Sequence, residues 1–498
     1  MNVNPITRLD YPDPDVIRVE DTYYMVSTTM HFMPGCEILQ SFDLVHWEHV
    51  TYVYETFDHT DAQQLKSGQN IYGQGMWAAS LRYHEGRFYI CFVANDTRKT
   101  YLYTSEKIDG PWKKQLIEGF YHDGSLLFDE DGRNYIVYGN DEIWITELNE
   151  DLTAPKKDGL HRLLVSDHKN PELGYEGSHI QKINGYYYIF LIHSLRDRWM
   201  RTEACFYSDS LEGEFTGGDV LCDDRGYCGQ GVAQGGIVDT PDGKWYAMLF
   251  QDSGAVGRIP ILLPVTWKDH FPVFGQNGHV PEEIEVHSTR PGYIYQPLVG
   301  SDDFCNGLLP RWQFNHDPDP RYYHLDALQG TYTITTREVC TELTQAVNTL
   351  TQRMSYPSCA AEVTVDASAL KEGDVAGLCA LQGCYAAVGI TKHHGKYEVL
   401  MLDKKEDGIL DMTEGTVVES HQMDFRLEAD FCNMKDEARC YYRVNKGDWL
   451  PIGTVHKLYF KLDHFTGCRF GLFCYAAEET GGSACFRDFK YYDVDEIS

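Results

Sequence analysis

The 498-residue chain has no apolar run of the roughly 18 residues that would read as a membrane span, and apolar stripes at helical spacing are hard to find. It is also short of positive charge: 43 Lys and Arg stand against 75 Asp and Glu, a net charge of −32. Such a surface repels phosphate backbones and anionic lipid, so neither nucleic acid nor a membrane is an expected partner, whereas a neutral ligand meets no such barrier. The same charge also serves plain solubility. Metal signatures are missing, since no CxxC or HExxH occurs and the six-residue spacing of Cys222 and Cys228 does not suit a zinc knuckle. Fifteen cysteines are scattered from Cys36 to Cys485 without framework spacing, which favours free thiols in a reducing compartment. The N-terminal MNVNPITRLDYPDPD has neither a basic nor an apolar leader region, so the chain is expected in the cytoplasm.

What the chain does have is aromatic and turn residues. Aromatics make up 13% of it, with 34 tyrosines and 44 glycines, a mixture suited to many short strands and tight turns. The expected class is all-β, and the length calls for two to four domains. Five segments repeat one pattern of a turn with Gly or Thr, then aromatics, then an apolar strand: EDTYYMVS, HEGRFYICF, EDGRNYIVY, INGYYYIFL and PDGKWYAML. Each reads as the tight turn and second strand of a hairpin. Their anchor tyrosines, Tyr24, Tyr89, Tyr135, Tyr188 and Tyr246, are 65, 46, 53 and 58 residues apart, which fits four-stranded propeller blades with variable loops.

Counting back from the anchors finds a second register. Asp13 lies 11 residues before Tyr24, while Trp77, Asp123, Glu176 and Gln234 each lie 12 before their own anchors. Equivalent positions on the inner strands of a propeller converge at one end of its channel, so three carboxylates, a tryptophan and an amide are expected to ring one funnel. An exposed strand end could place a polar residue there in one or two blades for no chemical reason, but five matches point to a functional ring. Paired carboxyls suit glycoside hydrolysis, in which one is protonated for the leaving oxygen and one is ionised. A third carboxylate raises the pKa of the acid and can orient it. On this reading Glu176, between glycines in GYEGSHIQKINGYYY, is the candidate acid, Asp13 the candidate base and Asp123 the modulator, although position alone leaves these roles open.

These blocks resemble glycoside hydrolase family 43. The resemblance runs through NPITRLDYPDPDVIRVEDTYYMVST, GMWAASLRYHEGRFYI, HDGSLLFDEDGRNYI, YEGSHIQKINGYYYIF, GVAQGGIVDTPDGKWYAML and GAVGRIPILLPVTW. It implies a five-bladed β-propeller over residues 1–298, inversion at the anomeric carbon, Asp13 as general base, Glu176 as general acid, Asp123 as pKa modulator and Arg258 as a substrate contact. Gln234 departs from the family's pattern, because many relatives carry there a histidine that helps to bind a central cation. No cofactor is required by this reading, and a structural calcium at the propeller centre, with Gln234 as one oxygen ligand, is left open. From residue 302 the blocks EGDVAGLCALQGCYAAVGI and DHFTGCRFGLFCYAAEETGGSACFRDFKYYD are similar to the concanavalin-like β-sandwich of β-xylosidases in this family, giving a second domain over 302–498. In relatives a sandwich loop helps to close the active site into a pocket.

The function expected is an exo-acting, inverting glycosidase that releases β-1,4-linked xylose, α-L-arabinofuranose or both from xylo- or arabino-oligosaccharides, with a homo-oligomer left open. Trp77 is expected to offer a flat face to the sugar, and His31 and Phe32, in STTMHFMPG, to line its pocket, although a loop histidine also serves as a structural hydrogen-bonder. A sugar-binding propeller without turnover is the alternative, and the three acids argue against it. The WD repeat signatures and the sialidase Asp-boxes are missing. Gly229, Gly231 and Gly235 in GQGVAQGG precede no helix and so do not form a nucleotide loop.

Overall fold

The computed structural model describes residues 2–493; residues 1 and 494–498, which the expected domain bounds include, lie outside the described residues. The chain is all-β. Its first part is five antiparallel four-stranded sheets, each wound from four consecutive strands apart from a two-residue strand inserted in the first. The blades begin at strands Asp15–Val19, Met76–His84, Ser125–Phe128, Glu176–Ile183 and Gly236–Asp239. All five anchor tyrosines sit on second strands, paired with Ile17, Arg82, Leu127, Gln181 and Val238 of the first. Two of the turns, Glu85-Gly86 and Asn184-Gly185, carry positive φ at both central residues, as a type I′ hairpin demands. The circle is closed at its N-terminal end, where Asn2–Val3 pairs with Glu283–Ile284 and the Tyr11 N–H donates to the Arg258 carbonyl.

The second part is a sandwich of a nine-stranded and a seven-stranded sheet, with a continuous apolar core that includes Trp312, Phe314, Phe425, Phe470 and Phe486. That core also takes in Ala255, Val256 and Ile259 of the fifth blade. More telling, the short strand Phe32–Met33 of the propeller is the edge strand of the nine-stranded sheet, paired with Phe314 and Asn315. The two parts therefore share both a core and a backbone ladder. Buried polar groups reinforce the seam: Arg353 reaches Glu37 at 2.9 Å, and Gln313 Nε2 donates to the Pro34 carbonyl at 2.6 Å.

One buried carboxylate joins the blades around the channel. Asp15, 1% exposed, accepts from the Leu81 N–H at 2.7 Å and from Arg82 Nη1 at 2.8 Å, and meets His179 Nδ1 at 3.0 Å. Arg82 then donates to Ser125 Oγ and the Leu126 carbonyl, so blades one to four are linked through one residue pair. Burial pushes the Asp15 carboxyl up, but Arg82 and His179 outweigh it and hold the pKa below the ordinary 3.8. A carboxyl with a depressed folded pKa stabilises the fold above its unfolded pKa and loses that contribution as pH falls. Asp15→Ala is expected to cost about 3–5 kcal/mol by leaving Arg82 uncompensated, read as a lower urea midpoint at pH 7. The gap to wild type should narrow as pH drops below 3.8; an unchanged midpoint at pH 7 would remove Asp15 from this role.

Candidate active site

Backbone kinks, rather than regular strand positions, bring the register residues together. Asp13, Asp123 and Gln234 each lie two residues ahead of a blade's first strand, whereas Trp77 and Glu176 lie inside theirs, followed by bulges before Ser80 and His179. Asp13 and Asp123 have φ of 51° and 48°, and the residues after Trp77 and Glu176, Ala78 and Gly177, have φ of 36° and 64°. Aspartate tolerates this left-handed region and glycine favours it, but alanine does not, so Ala78 stores strain beside the site. Gly177 is required for a second reason, since a Cβ there would stand 2.2 Å from the Gln234 side chain.

The result is a cavity of about 220 Å³ lined by Asp13, Trp77, His122, Asp123, Asn140, Leu173, Glu176, Trp199, Arg201, Gln234, Arg258, Leu462 and Phe465. Six of the eight expected site residues are here: Asp13, Trp77, Asp123, Glu176, Gln234 and Arg258. His31 and Phe32 are not, which corrects the expectation that they line the sugar pocket. Because Phe32–Met33 pairs with the sandwich, these rings are drawn into the seam between the domains. His31 packs on Tyr72, His316 and His464, with centroids 4.9, 4.8 and 5.4 Å away, and Phe32 lies 3.5 Å beneath the Arg469 guanidinium.

Asp13 is fixed by two donors, Thr28 Oγ1 at 2.6 Å on Oδ2 and Arg258 Nη1 at 2.7 Å on Oδ1. Each oxygen keeps a lone pair free, which a general base needs. Arg258 is held in turn by Asp252, at 3.2 Å, and is capped by the Phe465 ring, 3.7 Å from its guanidinium carbon. Phe465 also meets the edge of Trp77, with centroids 5.0 Å apart. Phe465 and Leu462 belong to the sandwich, so its Leu462–Phe465 segment forms part of the cavity wall. Asp10 seats that segment: its Oδ1 accepts from the Arg258 N–H at 2.8 Å and its Oδ2 from the Gly467 N–H at 2.7 Å.

The acids are not simply side by side. His122 Nε2 stands 3.5 Å from Asp123 Oδ2 and 3.6 Å from Glu176 Oε2, while Asn140 Nδ2 donates to Glu176 Oε2 at 2.8 Å. Burial raises the Asp123 carboxyl to about 6, with Glu176 and Asp13 adding to the push. Burial opposes a charge on His122, yet the surrounding carboxylates raise it to about 9. Burial also lifts Glu176, but the facing imidazolium outweighs it and holds Glu176 below its ordinary range. The expected picture, Asp123 lifting the pKa of Glu176 directly, is therefore altered by an intervening cation. Of the three groups, His122 keeps its proton to the highest pH. His122 precedes Asp123 in YHDGSLLFD, and adjacency to a candidate acid was the signal available for it.

A calcium ion does not fit the residues around Gln234. The void there is about 10 Å³, the size of one water. Asp13 already accepts from Arg258 and Thr28, and Asp123 Oδ2 from the Gly177 N–H at 2.9 Å. Direct calcium coordination takes six to eight oxygens. Nor do His122, Asp123 and Glu176, with ligand atoms within 4.8 Å of one another, form an open metal site. The facing oxygens already accept from Asn140 and Gly177.

Comparison with known proteins places these features in context. A family model described as Glycosyl hydrolases family 43 matches residues 3–272, and one described as Beta xylosidase C-terminal Concanavalin A-like domain matches 301–492. A β-xylosidase of Formosa agariphila is 26% identical over 99% of this chain and 89% of its own length. A xylosidase/arabinosidase of Butyrivibrio fibrisolvens is 24% identical over 99% of each chain. Among solved structures, a bifunctional GH43-CE protein of Bacteroides eggerthii superposes with a TM-score of 0.92 at 42% identity over 99% of this chain. This chain spans 64% of that longer one. A GH43 enzyme engineered to display both endo-xylanase and exo-arabinofuranosidase activity superposes with a TM-score of 0.88 at 27% identity, over 99% of both chains.

The proton-sharing cluster has a consequence for pH dependence. A general acid is lost as pH rises through the last pKa of the group of sites that holds its proton. With His122 present that last proton leaves near 9; without it, the two carboxyls alone hold the proton and release it at lower pH. His122→Gln is expected to move the alkaline limb of the kcat/KM profile downward from near 9. A limb that stays in place would show that His122 does not share the proton of Glu176.

Proposed function

The chain belongs to glycoside hydrolase family 43, and on that premise we propose that it is an exo-acting, inverting hydrolase that removes single β-1,4-linked xylose or α-L-arabinofuranose units from oligosaccharides. It is a glycoside hydrolase; the choice of sugar, the exo action and the stereochemistry are our reading. The observation that carries it is the cavity of about 220 Å³ with Asp13, Asp123 and Glu176 in its lining and Phe465 and Leu462 in its wall. That volume is below the usual range for drug-sized ligands, roughly 300–1,000 Å³, and suits one sugar ring. The names of the relatives, β-xylosidase and xylosidase/arabinosidase, support the same substrate class.

In the proposed reaction Asp13, held and aimed by Arg258 and Thr28, takes a proton from a water as that water attacks the anomeric carbon. Glu176 delivers a proton to the leaving oxygen. An aglycone arriving beside Glu176 displaces water, and this desolvation drives the proton of the cluster from His122 onto Glu176. Asn140 donates to Glu176 Oε2 and holds the carboxyl in place. Trp77 and Phe465 supply apolar faces for the ring. No step requires a metal.

The test is hydrolysis of xylobiose and of the p-nitrophenyl β-D-xyloside and α-L-arabinofuranoside by wild type, Asp13→Ala and Glu176→Ala. General acid and base groups typically contribute about 10²–10⁴-fold, so each variant should lose at least that factor on xylobiose. Glu176→Ala should lose less on the nitrophenyl substrates, whose leaving group needs little protonation. Unimpaired variants would refute the assignment. Sugar binding without turnover by wild type would instead favour a non-catalytic carbohydrate-binding propeller.

A further inference from the structure

Arg201 opens the third strand of the fourth blade, Arg201–Ser208, and lines the cavity that holds the acids. Its side chain is 3% exposed. Its nearest charge is Asp252, with Nη1 standing 3.0 Å from Oδ2, but the pair is not aligned as a hydrogen bond. Arg201 Nε, Arg201 Nη1 and Asp252 Oδ2 are all buried without a hydrogen-bond partner. Buried guanidinium N–H groups are almost always satisfied, and an exception at the wall of a cavity marks a place where a ligand atom completes the set.

The surroundings hold this cation still. The Trp199 and Phe250 rings lie 5.4 and 5.3 Å from its guanidinium carbon. Its backbone is pinned by Gly231, where a Cβ would stand 1.8 Å from the Arg201 carbonyl oxygen. Gly231 of GQGVAQGG thus allows a close chain crossing next to this arginine. Arg258 already donates to Asp13 and Asp252, whereas Arg201 is left with donors to spare. Asp13, Asp123, Glu176 and Asp252 stand around the cavity or behind it, so an anionic substituent would be repelled and a neutral hydroxyl favoured.

We propose that Arg201 is the specificity-determining donor for the sugar in the cavity, completing its unfilled N–H groups on ring hydroxyls of a neutral pentose. The assignment deepens the function proposed above and rests on it for the identity of the ligand. Arg201 contacts the sugar that is released and takes no part in proton transfer. Sites built to hydrogen-bond a substrate hydroxyl discriminate strongly against analogues that lack it, because the polar group of the protein is then left buried and unpaired.

The experiment is a binding cycle on the full-length protein, using D-xylose and its 2-, 3- and 4-monodeoxy analogues as competitive inhibitors and in calorimetry. Wild type and Arg201→Met are compared, with Arg201→Lys, which keeps the charge but not the forked donors, used if the Met variant does not fold. At least one analogue should bind wild type about 10- to 100-fold more weakly than xylose, as expected for a hydrogen bond to a charged group. The variant should bind xylose and that analogue equally, and its KM should rise by a similar factor. A variant that keeps the full discrimination, or whose KM and xylose affinity are unchanged while only its melting temperature falls, would overturn the proposal and leave Arg201 structural. Because binding is read without turnover, a wild type that binds xylose yet hydrolyses nothing would refute the proposed reaction and leave this assignment standing.

Discussion

The guanidinium of Arg258 is held 2.7 Å from Asp13 and 3.2 Å from Asp252, and much of the molecule is arranged to keep that buried charge in place. Its backbone closes the propeller by accepting from Tyr11, and its N–H is tied to Asp10. Through Asp10 the same residue reaches Gly467 of the sandwich, whose Phe465 covers the guanidinium face. Removing one partner of a buried ion pair leaves an uncompensated charge at a cost of about 3–5 kcal/mol, so the geometry around Arg258 is strongly over-determined. Blade closure, orientation of the candidate base and seating of the sandwich wall are three aspects of one constraint.

That constraint explains why the sandwich is more than an appendage. Phe32–Met33 extends its sheet, Ala255, Val256 and Ile259 enter its core, and Leu462 and Phe465 enter the cavity wall. A propeller without it would lose the cap over Arg258 and one face of the pocket. The electrostatics follow from the same enclosure. Asp13, Asp123, Glu176 and Asp252 are tolerated in so small a space because Arg258, Arg201 and His122 are interleaved with them. Of these, His122, Asp123 and Glu176 are close enough to titrate as a set.

Much of this was legible in the sequence, for a specific reason. The hairpin is a local unit, so Tyr24, Tyr89, Tyr135, Tyr188 and Tyr246 report the blades, and a fixed offset from them finds Asp13, Trp77, Asp123, Glu176 and Gln234. The offset was one residue short for Asp13, because the first hairpin turns tightly between Val19 and Thr22 and has no bulge, whereas the third and fifth have longer turns and the second and fourth carry a bulge. His31 and Phe32 were misplaced since their fate is decided by pairing with Asn315 and Phe314, far along the chain. Arg201 lies on a third strand, outside the register, and a lone arginine in a strand carries no local signal. Asp10 lies outside the register too, because its role is set by backbone N–H groups of Arg258 and Gly467 in distant segments. Local periodicity reveals the inner strands, and long-range closure decides what stands between them.

The central claim is that Asp13 and Glu176 act from opposite sides of the anomeric carbon, with a water between Asp13 and the sugar. It is tested most directly by proton NMR of xylobiose hydrolysis, followed from the first minutes, before the released sugar mutarotates. Inversion of a β-linkage predicts that α-xylose appears first and that the β-anomer grows in later. First appearance of β-xylose would mean retention, with one carboxylate bonded covalently to the sugar, and would contradict the role given to Asp13.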